Sequence, residues 1–193
     1  MGQATIHDQP TDILSQTAFS PNTPNAITPR RVKIALDALL YGRSIAPSDS
    51  LEQLTLVNEV LAAAALPPDA HSRAAALGIL LTALMTKELV KHRRAMGIHD
   101  SLTKIARQAA LEAIARDGQC ANPELLGWSW LYYHYVRVEL NIQPKDFCQA
   151  CFVTERTLRR YQALAFWRLT QLLIKREWQI CRARNVANRK QAL

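Results

Sequence analysis

Arg156, Arg159 and Arg160 fall within five residues of one another, just after Thr154. On a helix, their guanidinium groups share an exposed surface over the first two turns. Such a surface suits a polyanion. An arginine fork reaches the O6 and N7 acceptors of guanine together, or clamps a phosphate. Thr154, Thr157 and Gln162 lie among them and offer hydroxyl and amide contacts to phosphate or base. Thr154 is also a good N-cap, and exposed helix N-termini favour phosphate oxygens. Leu158, Tyr161, Ala165, Leu169 and Leu172 recur at three- and four-residue steps and predict the buried face of the same helix. The plainer reading of these residues is a solvated basic helix packed on one side.

The placement of charge bears on that choice. The chain carries 24 Lys+Arg against 16 Asp+Glu, a net charge of +8 over 193 residues. Residues 1–152 are balanced, with 14 basic and 14 acidic side chains, so the whole excess lies in 153–193. A local basic excess attracts polyanions and says nothing about fold. Residues 185–193 have no helical pattern of their own and read as a general basic tail.

Other candidate chemistry is sparse. No GxGxxG or GxxxxGKS/T loop is present to cradle a phosphate. Cys148-x-x-Cys151 has the spacing of a metal or redox pair, yet no second pair and no His pair at zinc spacing accompanies it. On a short helix both thiols fit small buried hydrophobes. His134-Tyr-Val-Arg137, followed by Tyr161, has the order used by tyrosine recombinases. The upstream arginine motif and the strands of those enzymes are not recognisable, and Tyr161 falls on the apolar face of its helix. A buried tyrosine is therefore expected, and no catalytic residue, metal or cofactor.

The elements that position these residues are helical. Hydrophobic residues make up 49% of the chain, too much for a disordered one, and the length allows one domain or two small ones. Six glycines and few β-branched runs point to an all-α fold. No apolar run reaches membrane-spanning length. Residues 1–28 are polar and read as a flexible arm, not a secretory leader. Four cysteines do not make a disulfide scaffold, so a reducing cytoplasm is the expected setting.

A helical bundle is expected over 29–118. Thr28-Pro29 opens its first helix, which ends at Gly42. Ser48 or Asp49 caps a second, with Leu51, Leu54, Val57, Val60 and Leu61 as its stripe. After Pro67-Pro68, Asp69 caps a long central helix over 70–96. A fourth spans 101–116 and stops at Asp117-Gly118. Lys87, Lys91, Arg93 and Arg94 read as a solvated helix end. A second unit is expected over 123–184: an aromatic helix over 123–140, a short helix from Pro144, and a long last helix capped by Thr154.

Within that unit, LYYHYVRVELNIQPKDFCQACFVTERTLRRYQALAFWRL (Leu131–Leu169) resembles the helix-turn-helix of sigma factor region 4 and related bacterial regulators. Asn141–Pro144 looks like the first turn, with Ile142 pointing inward. Asp146–Cys151 looks like the second helix, and Val153-Thr154 like the start of the recognition helix. One departure is Phe152, which stands where that family usually has glycine. Such a turn residue often has positive φ, which costs a phenylalanine more. The resemblance implies binding to double-stranded DNA by a transcriptional regulator or by a DNA-binding subunit of a larger bacterial or phage assembly.

Trp167, Ile174 and Trp178 form a second stripe, on the side continuous with Arg156 and Arg160. They are expected to pack on residues 30–118, or on a second copy in a homodimer, or on another protein. The competing function is therefore a helical adaptor that docks an acidic protein through its basic, Trp-bearing last helix.

Overall fold

Thr28 opens the helical body. Its hydroxyl accepts the Arg31 N–H at 3.3 Å, and Pro29 follows at the first helical position. Helix α1 (Pro29–Tyr41) then runs until Gly42, at φ 62°, closes it in the left-handed region. The computed structural model describes residues 27–43, 49–99, 102 and 106–191, with side chains through Val186. Most of the expected arm lies outside the described residues; its last two positions are the buried Ile27 and the cap Thr28.

Six more α-helices follow: α2 (Thr55–Ala63), α3 (Ala70–Ala95), α4 (Arg107–Gln119), α5 (Pro123–Leu131), α6 (Pro144–Cys151) and α7 (Glu155–Gln191). No strand occurs among the described residues, so the fold is all-α, as composition and periodicity require. Helix α3 is central: Leu77, Leu80, Leu81, Leu84 and Leu89 are buried along it, and Asp69 caps it as expected.

Three elements differ from the sequence reading. Helix α2 begins at Thr55, and Asp49 does not cap it; Ser48 lies outside the described residues. Its cap comes from 122 residues away. Glu177 of α7, wholly buried, accepts the Thr55 N–H at 2.7 Å and the Leu56 N–H at 2.9 Å, satisfying two donors at the helix start. Helix α4 runs through Asp117-Gly118 instead of stopping there. Asp117 is buried inside it and ion-paired to Arg93, with Nε–Oδ1 at 2.9 Å and Nη2–Oδ2 at 2.6 Å. The Ser129 hydroxyl donates to the same carboxylate at 2.7 Å, and Tyr133 lies 3.2 Å from the guanidinium. Arg93 is thus no solvated helix end but the buried tie between α3, α4 and α5.

The aromatic segment is not one α-helix either. After Leu131 the chain widens into a π-turn (Tyr132–Val136) and then a 3-10 turn (Val138–Leu140), until Asn141, at φ 48°, ends it. A widened turn changes the directions of the side chains that follow. Here Tyr133 meets Arg93, the Tyr132 hydroxyl donates to the Leu102 carbonyl at 3.1 Å, and the Tyr135 hydroxyl donates to Asp37 on α1 at 2.9 Å.

One buried cluster spans both halves of the chain, from Ile27 to Leu173, so the boundary expected between residues 118 and 123 interrupts no packing. Two close approaches set its second half. A Cβ on Gly118 would stand 2.9 Å from Cys151 Cα, which brings α4 against α6. A Cβ on Gly127 would stand 2.7 Å from the Tyr161 carbonyl oxygen and 2.9 Å from Ala165 Cβ, which brings α5 against α7.

Candidate nucleic-acid interface

The candidate surface is the N-terminal end of α7 and the connection that aims it. Helix α6 starts at Pro144, with the Gln143 N–H donating to the Asp146 carboxylate at 3.0 Å. Phe147, Cys148 and Cys151 face the core. Phe152 closes the helix with φ 55° and ψ 40°, the conformation a glycine would take there. A phenylalanine thus takes a left-handed turn position, and the residue is 94% exposed. Val153 is half-buried against the core, and Thr154 follows as the cap of α7.

Thr154 Oγ1 accepts the Thr157 N–H at 3.2 Å and lies 3.0 Å from the Thr157 hydroxyl. Arg156, Arg159 and Arg160 are all exposed on the first turns. Arg159 lies 3.5 Å from Glu155, in an exposed i,i+4 pair of little energetic weight. Among the described residues, Arg156 and Arg160 have no ion-pair partner. Gln162 is half-buried. On the reverse face Leu158, Ala165 and Leu169 are buried as the periodicity requires; Tyr161 and Leu172 are half-buried, and Leu173 completes the core instead. The six residues expected to meet a polyanion thus share one end of one helix.

The second stripe differs from its intramolecular reading. Trp167 is 45% exposed and Trp178 59% exposed, and only Ile174 packs partly against the core. The buried side of α7 is fully used by Leu158, Ala165, Leu169, Leu173 and Glu177, and the two tryptophans stand opposite it. The Arg168 guanidinium lies 5.0 Å from the Trp167 ring centroid and also pairs with Glu124. Helix α7 continues without interruption through the expected basic tail to Gln191.

The weaker candidates have other employment. His134 stacks on Trp130 at 4.4 Å, and burial lowers its pKa. Arg137 pairs with Glu139 and donates to the Leu102 carbonyl at 2.8 Å. Burial pushes the Cys151 thiol up to about 12 and raises Cys148 as well, keeping both protonated. Among the described residues no group of three or more His, Cys, Asp or Glu side chains stands together as metal ligands would. No described helix is long and apolar enough to cross a membrane.

Sequence reasoning missed the supports of this surface: Glu177, Arg93–Asp117 and the two glycine contacts. The one local signal was Glu177 itself, the only acid in a basic helix after its first turn. Comparison with protein-family models, curated proteins and solved structures finds no match.

Proposed function

We propose that the chain is a DNA-binding protein, not an enzyme, and that it acts through a C-terminal helix-turn-helix made of α6 and the first turns of α7. The observation that carries this reading is the joint exposure of Arg156, Arg159 and Arg160 at a capped helix start whose reverse face is buried. Recognition by this motif needs one apolar face on the protein and one polar face for the major groove. The α6–α7 connection, closed by a left-handed Phe152, supports the same reading. The role fits a transcriptional regulator or a DNA-binding subunit of a larger bacterial or phage assembly, working in the cytoplasm.

Affinity comes mainly from counterions released at phosphates, so it falls steeply with salt. Selection of binding sites from random duplexes at two salt concentrations yields a preferred sequence. Each of Arg156→Ala, Arg159→Ala and Arg160→Ala costs about 1–3 kcal/mol of duplex affinity where the side chain meets a base. Unchanged binding by the triple variant overturns the assignment. The exposed Trp167 and Trp178 favour a second reading, compatible with the first: an adaptor that also docks an acidic protein.

A further inference from the structure

Helix α7 is far longer than a major groove can use. Its 37 residues span about 55 Å, and Trp178 lies about 33 Å along the axis from Arg156. A B-form groove is about 12 Å wide, so the tryptophans stand clear of any groove entered by the first turns.

The outer side of this distal stretch has a definite register, in which Trp167, Gln171, Trp178 and Asn185 are exposed, Ile174 is half-buried against the core and Cys181 is half-buried beside Thr55 and Glu177. Trp167, Ile174 and Cys181 recur every seven residues, and Gln171, Trp178 and Asn185 lie four residues after each. That alternation of four and three is the a/d seam of a coiled coil over three heptads, with Gln171, Trp178 and Asn185 at a and Trp167, Ile174 and Cys181 at d. The seam lies opposite Leu169 and Leu173, both of which are wholly buried. Beside its distal end runs a groove of about 500 Å³ lined by Trp178, Cys181, Arg182, Asn185 and Val186.

The two flanks of the seam are unlike. On one side, Thr170 and Glu177 are buried in the chain's own body and only Arg184 is exposed, paired with Glu59. On the other, Arg168, Lys175 and Arg182 repeat at seven-residue steps, all exposed. Flanking charges of this kind select the partner. A second copy of α7 would set no exposed acid against this row, because the helix has none beyond Glu155. Exposed Trp and Arg are also the residues that most often anchor protein contacts.

We infer that the outer face of α7 from Trp167 to Asn185 docks one amphipathic helix of another protein, with acidic side chains opposite Arg168, Lys175 and Arg182. This deepens the adaptor reading above and does not depend on DNA binding.

The test uses two synthetic 28-residue peptides with the same leucine a/d seam, one with Glu and one with Lys at every e and g position. Like charges keep each peptide from pairing with itself. Titrated into the full chain and followed by calorimetry and tryptophan fluorescence, the Glu peptide binds at least about tenfold more tightly than the Lys peptide. The Trp167→Ala/Trp178→Ala variant loses the Glu peptide by about tenfold or more, with its melting temperature and duplex affinity unchanged. The Arg156→Ala/Arg159→Ala/Arg160→Ala variant still binds the peptide, so failure of the DNA reading and failure of this one are told apart. Equal binding of the two peptides, or binding of neither, overturns the inference. So does a wild-type dimer that the double tryptophan variant abolishes, which would make a second copy the occupant. Binding that appears only after residues 2–26 are removed overturns it too, since the arm would then be the occupant.

Discussion

Phe152 and Asp117 show how single residues carry this fold. Phe152 sits at φ 55° with its ring almost wholly in solvent, so it bears backbone strain with no packing in return. Phe152→Gly is expected to raise the melting temperature by about 2–4 °C, the shift that corresponds to about 1 kcal/mol at this chain length. A lower melting temperature would show that the ring has a contact worth more than the strain. Asp117 is the opposite case. Its carboxylate accepts from Nε and Nη2 of the buried Arg93 and from the Ser129 hydroxyl. Asp117→Asn leaves a guanidinium buried without its counter-charge and is expected to cost about 3–5 kcal/mol in denaturant unfolding. A loss below 1 kcal/mol would mean that the pair is not closed to water.

At the scale of elements, the helices were legible wherever their signals are local. Thr28-Pro29, Asp69, Pro144 and Thr154 each mark an end that the structure keeps. The failures are those in which a distant group replaces a local one. Helix α2 starts where Glu177 reaches it and not where a nearby serine or aspartate could. Helix α4 continues through Asp117-Gly118 because Arg93 and Cys151 give those two residues tertiary roles. Glu177→Ala removes both acceptors from the start of α2 and is expected to destabilise the protein by about 1–3 kcal/mol. Hydrogen exchange should quicken first at Thr55 and Leu56; protection lost evenly over the chain would contradict a local capping role.

At the scale of the whole molecule, burial sets a pH dependence. His92 and His134 are both held below their ordinary value of 6.5 by desolvation, in spite of Glu124 near the first and Asp37 near the second. The unfolded imidazoles therefore bind protons before the folded ones do. Stability is full above about pH 6.5 and is lost as pH falls through the lower folded values. Denaturant midpoints at pH 7 and pH 5 measure the slope. His134→Phe keeps a ring against Trp130 and should flatten it; a midpoint as high at pH 5 as at pH 7 refutes the account.

The sequence by itself determined the all-α class, most helix ends and the composition of the basic face, because these follow from nearest-neighbour sterics, capping and a 3.6-residue period. The short α6, opened by Pro144, and the start of α7 after Thr154 follow from the same local signals. Only the tertiary structure decided which charged residues are buried and which aromatics are not. Arg93 and Glu177 look like surface charges until their partners, 24 and 122 residues away, come into reach. Trp167 and Trp178 look like core until Leu169, Leu173 and Glu177 have filled the buried side of their helix and left the opposite side to solvent. A helix offers only so much surface to its own fold, and which stripe it spends there depends on partners that no local window contains.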